Sequence, residues 1–308
     1  MNLILHHYDF SNFSEKVRLM FGYKELTWGS VKIPSHLPKP DYIPLTGGYR
    51  RTPSLQIGAD VYCDTRLISE VLEERYPQPS FYSGGRRNRV LTYAISDWVE
   101  ARLLWPVALY ISGINAARFP AEFHSDRAIL HGKPIPSVEQ VKASATKYLG
   151  QMRSELAAIE ALFVDGDAYV FGKVPSLADL ALYHVPWFLD VFETKQTFLD
   201  DMPLTRQWMA RIRAIGHGHR TELEAAAAIE CANSTVPNPI ATNDYVAPEG
   251  LKIGDMVTVS PLDEVSPAKG ELAAVDDNRI SISVSNDRVN NVRVHFPRSG
   301  YKLSRVRQ

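Results

Sequence analysis

At 308 residues, with 45% apolar and 22% charged side chains and a formal net charge of -1, the chain has the composition of an ordinary globular protein with room for two domains and a small third. That balance excludes nucleic acid as a bulk electrostatic partner, and no apolar run approaches the roughly 18 residues of a membrane span. The two cysteines, Cys63 and Cys231, lie in distant segments; they form no disulfide framework and fit a reducing compartment, which makes the cytoplasm the expected location.

The opening MNLILHHYDF has a short apolar core that soon meets His6, His7 and Asp9, and is read as a first strand and not as a secretory leader. A loop through Tyr8 and Ser11 leads into a helix carrying Val17, Leu19, Met20 and Phe21. Residues 26–33 read as a second strand and residues 34–48 as a long polar loop. Residues 54–57 then alternate polar and apolar, Gly58-Ala59-Asp60 turns the chain, and residues 61–63 return. Asp64 and Thr65 open a helix marked by Ile68, Val71, Leu72 and Tyr76, which Pro77 stops. The Thr52-Pro53 step before the hairpin is a candidate cis peptide.

After the linker Ser83-Gly84-Gly85 the pattern turns helical: Leu91, Ile95, Trp98, Arg102, Trp105 and Ala108 recur at three or four residues, and Pro106 is expected to kink the helix or end its first half. Residues 118–136, rich in His, Pro and Gly, read as irregular, and residues 138–163 as one long helix. Ser176 and Asp179 have the spacing of a capping box before an apolar run in which Pro186 predicts a bend. Further helices are expected over residues 203–216 and 221–231. His217 and His219 flank Gly218 and read as a loop pair; no metal site is expected. Residues 233–249 form a Pro/Asn/Ala linker. The remainder, 250–308, switches to period two in five short segments, which predicts a small all-β, SH3-like barrel.

Residues 50–77 resemble the second half of the glutathione-binding domain of the glutathione transferase superfamily: a cis-proline (Pro53), a hairpin, an acid-hydroxyl pair (Asp64-Thr65, where the family usually has Glu-Ser) and a helix. Ser11-Asn12-Phe13-Ser14-Glu15-Lys16-Val17-Arg18 is similar to the Ser-x-x-x-x-Arg/Lys-Val-Arg pattern of its serine-type members, and Ser176-Leu177-Ala178-Asp179 to the motif that opens the central helix of the family's second domain. The resemblance implies a thioredoxin-like α/β domain over residues 1–83, an all-α domain over 84–232, and a family plan that ends before the barrel of 250–308. It also implies glutathione as co-substrate, a homodimer and Ser11 as the catalytic hydroxyl, with Ser14 and Tyr8 as alternatives. Thiolate is the nucleophile of such a reaction, and a hydroxyl at the positive end of a helix favours it. The implied glutathione contacts are Phe13, Thr52, Pro53, Asp64 and Thr65, with Arg50 or Arg51 on the glycyl carboxylate. A pocket for a small apolar electrophile between the domains draws on Trp98, Arg102, Trp105 and Tyr110. Two functions fit: conjugation or exchange of the glutathione thiolate, or a transferase-like scaffold whose barrel recruits a partner. The linker predicts that a chain ending at Ala232 folds and binds glutathione by itself.

Overall fold

The computed structural model describes residues 3–192, 198–240 and 250–306. The first unit runs β1 (Leu3–His7), α1 (Asn12–Tyr23), β2 (Thr27–Lys32), α2 (Ile43–Thr46), β3 (Ser54–Ile57), β4 (Asp60–Cys63) and α3 (Thr65–Arg75). β1 pairs parallel with β2 and antiparallel with β3, which pairs antiparallel with β4. Leu3, Leu5, Leu55 and Ile57 point from one face of this sheet onto Val17, Met20 and Phe21 of α1 and Leu67, Ile68 and Val71 of α3. This is the thioredoxin-like arrangement the pattern predicts, and the Thr52–Pro53 peptide is cis.

The helical unit comprises α4 (Arg86–Trp98), α5 (Leu104–Ile114), α6 (Ala121–Leu130), α7 (Val138–Lys147), α8 (Leu149–Ala161), α9 (Leu177–Phe192) and α10 (Pro203–Arg213). Two expectations are corrected here and one is refined. The long first helix is interrupted by a π-helical turn, Val99–Leu103, immediately ahead of the stretch that holds Pro106. Pro106 has no N–H, so the Arg102 carbonyl one turn earlier lacks a helical donor; Gln151 Nε2 supplies one at 3.3 Å. Residues 118–136 contain a helix, because Pro120 enters it with extended backbone and Gly132, at φ 62°, terminates it. The segment 138–163 is two helices, broken at Tyr148, whose φ of -122° leaves the helical range. The Ser176/Asp179 pair forms half of the expected box: Asp179 Oδ2 accepts from the Ser176 N–H at 2.9 Å and from the Ser176 hydroxyl at 3.0 Å, the Asp179 N–H going to the Ser176 carbonyl at 3.1 Å, while Oδ1 accepts from Trp208 Nε1 at 3.0 Å and from the Val170 N–H at 2.8 Å.

The predicted last helix is also corrected. His219–Glu222 forms β5, which extends the open edge of β2 in parallel, and the alanine run starts α11 (Ala225–Asn233) only afterwards. Beyond it, β6 (Met256–Pro261), β7 (Ala268–Val275), β8 (Arg279–Val284), β9 (Val292–Pro297) and β10 (Tyr301–Arg305) match the five period-two segments. They pair in the order β10-β6-β7-β8-β9.

These strands are not an appendage. β9 runs parallel to β4, with Val61 opposite Val294, so one ten-stranded sheet spans both units. Val257, Leu272, Ile282, Val294 and Phe296 share a core with Leu45, Tyr49, Val61 and Cys63 of the first unit. At the seam Asp60 accepts from His295 Nε2 at 2.8 Å, and His295 Nδ1 pairs with the Ser281 hydroxyl at 2.8 Å. Asn238 adds donors to Asp60 from its backbone N–H at 2.8 Å and its side chain at 2.6 Å. Burial holds His295 below the usual imidazole range although Asp60 pulls the other way.

Candidate active site

The loop before α1 is fixed by the residues of its own motif. Arg18 Nη2 donates to the Asp9 carbonyl at 2.9 Å and Nε to Glu15 Oε2 at 3.0 Å, while His217 Nε2 pairs with Glu15 Oε1 at 3.0 Å. Lys16 reaches across to Glu100 of the π-turn at 3.2 Å. Ser11, in extended backbone, is the N-cap of α1: its Oγ accepts from the Ser14 N–H at 3.2 Å. Ser11 also lines a cleft of about 620 Å³, so a capping residue borders the candidate ligand space. Ser14 is fully buried and does not line the cleft, whereas Tyr8 lines it and accepts at its hydroxyl from Arg127 Nη2 at 3.2 Å.

Thr52, Pro53, Asp64 and Thr65 line the same cleft as Ser11. Asp64 has φ 78° and ψ 135°, a conformation that L-residues seldom adopt and that costs about 1–3 kcal/mol where it occurs. Its Oδ1 caps α3 by accepting from the Arg66 N–H at 2.9 Å. Its Oδ2 accepts from the hydroxyl of Tyr301 in β10 at 3.0 Å. Thr65 is the first residue of α3, where unpaired backbone N–H groups and the helix dipole favour an anion. Asp64 and Thr65 also line a smaller polar cavity of about 270 Å³, walled by Lys16, Glu100, Ser299 and Tyr301.

The two arginines line the cleft but are engaged. Arg50 forms a buried ion pair with Asp126 of α6. Arg51 pairs with Glu264, and with Asp263 at 2.7 Å, both in the loop after β6. The cation that remains beside Thr52 is Lys39, whose Nζ donates to the Arg50 carbonyl at 2.8 Å and the Thr52 hydroxyl at 3.1 Å. Burial lowers the Lys39 pKa to about 7. Sequence reasoning passed over Lys39 as part of a polar loop, although its position between Pro38 and Pro40 marks a rigid stretch.

Of the four electrophile-pocket candidates, Trp105 alone lines the cleft among the described residues. Trp98 turns to Glu155, donating Nε1 to Oε2 at 2.7 Å, Arg102 is exposed, and Tyr110 packs edge-on against Phe198. The apolar wall is built by Phe10, Leu104, Ile111, Phe119, Phe123 and Phe188 instead. Phe13 lines the cleft with its ring 5.1 Å from that of His184. Phe119 and Phe123 escaped notice because they lie in the segment read as irregular. Cys63 is a core residue, its thiol pushed up by burial.

Residues 5–80 match the family model of the glutathione S-transferase N-terminal domain, and residues 113–215 that of the glutathione S-transferase C-terminal domain. Over its whole length the structure is similar to a GST-like protein from Pseudomonas syringae, with 36% identity, a TM-score of 0.76 and 99% of each chain covered. It shares its fold with a beta-etherase from Sphingobium (19% identity, TM-score 0.53, 70% of this chain and 96% of that one). A glutathione S-transferase from Rhodospirillum rubrum is similar at 18% identity and TM-score 0.51, over 69% of this chain and 88% of that one. No curated protein matches the chain. Among the described residues no helix is long and apolar enough to cross a membrane.

Proposed function

Because the chain belongs to the glutathione transferase superfamily, we propose that it binds glutathione and transfers the thiolate to a flat, apolar electrophile. The observation that carries this reading is one cleft lined both by Ser11, Thr52, Pro53, Asp64 and Thr65 and by the aromatic rings of Phe10, Phe119, Phe123 and Phe188. In this reading the cysteinyl backbone pairs with the Thr52 backbone. The γ-glutamyl carboxylate lies at Thr65 on the N-terminus of α3, and its ammonium meets Asp64. Lys39 takes the glycyl carboxylate, since Arg50 and Arg51 are held by Asp126, Glu264 and Asp263. The Ser11 Oγ accepts from Ser14 N–H, which leaves its own O–H to donate to the sulfur. That bond and the α1 dipole favour the thiolate. The thiolate then attacks the electrophilic carbon: a sulfur–carbon bond forms, and the leaving group departs with its electron pair or the acceptor takes up the charge.

The scaffold alternative draws less support, because Tyr301, Asp263 and Glu264 of the β unit are spent on the cleft itself. The homodimer comes over from the family, and light scattering measures it; the cytoplasmic setting rests on the two distant cysteines. Retention on immobilised glutathione with turnover of a chloro-nitro-aromatic acceptor is the expected result. Absence of retention overturns the glutathione reading, and retention without turnover of any apolar acceptor favours the scaffold.

A further inference from the structure

We propose that Tyr301, on the last strand of the β unit, is a positioning residue of the thiol site. Its hydroxyl orients Asp64 to receive the γ-glutamyl ammonium, so the β unit sets how strictly the site demands that ammonium. The assignment rests on the glutathione reading above and adds to it the role of the third unit.

Both oxygens of Asp64 are anchored, and by different units: Oδ1 by the Arg66 N–H of α3 at 2.9 Å, Oδ2 by the Tyr301 hydroxyl at 3.0 Å. The residue sits at a positive φ of 78°, where one anchor alone would leave the carboxylate free to swing about its side-chain torsions. Tyr301 is itself held. It is nearly fully buried, its ring lies 5.7 Å from that of Phe296, and its oxygen is 3.0 Å from the Tyr49 hydroxyl. Because the Tyr301 proton goes to a carboxylate, Tyr49 is the donor in that second bond. Burial and the nearby Asp64 push the Tyr301 phenol well above its usual range, so it remains a donor at any physiological pH.

The charge around Asp64 fits a cationic ligand. Three basic residues line the smaller cavity, and each is engaged: Arg51 by Glu264 and Asp263, Lys16 by Glu100, and Arg66 by Glu70 at 3.8 Å and by the Tyr93 ring beneath its guanidinium. Among the described residues no basic side chain forms an ion pair with Asp64, and Asp97 and Glu100 line the same cavity. A primary ammonium, with three donors and one charge, is the group that such a set of acceptors selects.

The test is calorimetric, on the full chain and Tyr301→Phe, with glutathione and its analogue in which hydrogen replaces the amino group. The native chain is expected to prefer glutathione, and Tyr301→Phe to reduce that preference about tenfold while leaving affinity for the deaminated analogue unchanged. The ring contacts survive the substitution, and a ratio taken within one variant separates general loosening, which weakens both ligands, from loss of orientation. Asp64→Asn should abolish the preference, and adding Tyr301→Phe to it should change nothing further. An unchanged ratio in Tyr301→Phe, or a further loss in the double variant, overturns the assignment while leaving glutathione binding intact. A native chain that binds no glutathione overturns the glutathione reading and the assignment with it.

Discussion

A chain cut after Ala232 is expected to lose its fold, and the structure supplies the magnitude. The cut removes β9 from the edge of β4 and uncovers Leu45, Tyr49, Val61 and Cys63, each at most 1% exposed in the whole chain. Burial of a side chain of Leu or Val size contributes about 1.5–3 kcal/mol, so Leu45, Tyr49 and Val61 together contribute about 5–9 kcal/mol as an upper bound. Asp60 loses His295 and Asn238, but water replaces them once the edge is open, so its contribution to the loss is small. Against a total stability of about 5–15 kcal/mol, the loss runs from about a third to the whole. The exposed edge of β4 also offers a pairing template to other chains, so aggregation accompanies unfolding. Light scattering, urea unfolding by circular dichroism and a glutathione titration measure the outcome. A monodisperse fragment with an undiminished urea midpoint would refute the idea that the shared core holds the first unit together.

Ser11→Ala should leave the fold and glutathione binding in place and raise the pKa of the bound thiol, read from thiolate absorbance; an unshifted titration would transfer the role to Tyr8. Thr65→Val should weaken glutathione by about 1.5–3 kcal/mol in calorimetry, the worth of a hydrogen bond to a charged group, and an unchanged affinity would place the γ-glutamyl carboxylate elsewhere. Lys39, lowered to about 7 by burial, binds a carboxylate only when charged, and the bound carboxylate raises its pKa again. Its contribution is therefore fully present below that pH and is lost as pH rises through it. Affinity for S-methylglutathione, which lacks the titrating thiol, should fall accordingly in the native chain and run flat in Lys39→Met; a flat native profile between about pH 6 and pH 8.5 would exclude Lys39 from the site.

The parts of the site that were legible in the sequence are those set by a few adjacent residues. Asp64-Thr65 before an amphipathic run, Pro53 before a hairpin and Ser11 ahead of Lys16-Val17-Arg18 each carry their geometry locally. The apolar wall was misread for a definable reason. Extrapolating one helix face from Leu91 to Ala108 assumes 3.6 residues per turn throughout, but the Leu104 N–H bonds to the Val99 carbonyl, five residues back. Arg102, inside that turn, faces solvent, while Leu104 and Ile111 join Trp105 and Ala108 of the extrapolated face in lining the cleft. The junction of β4 with β9 was not legible, because Asp60-Val61-Tyr62-Cys63 reads the same whether its outer edge meets water or another strand. Nor does any local signal show that Tyr301 reaches Asp64 across 237 positions of sequence.

The N-terminus of α3 is where all three units meet, and the charges there explain how the cleft keeps its shape. Arg50 ties the first unit to Asp126 of α6, and Arg51 ties it to Glu264 and Asp263 of the β unit. The Arg50 pair is buried on both sides, so it is little screened by salt, whereas Asp263 is open to solvent and its attraction falls off within a Debye length of about 8 Å at physiological ionic strength. A buried pair adds little net stability over an apolar one, since desolvation offsets most of its Coulomb energy. What it does impose is register. If the helical unit slid against the first, Arg50 and Asp126 would each be left as an uncompensated buried charge. The same holds for Glu264, whose carboxyl burial pushes upward against the pull of Arg51. Two arginines that the sequence offers as ligand contacts therefore act as struts between units, and in the proposed glutathione reading the less conspicuous Lys39 meets the carboxylate.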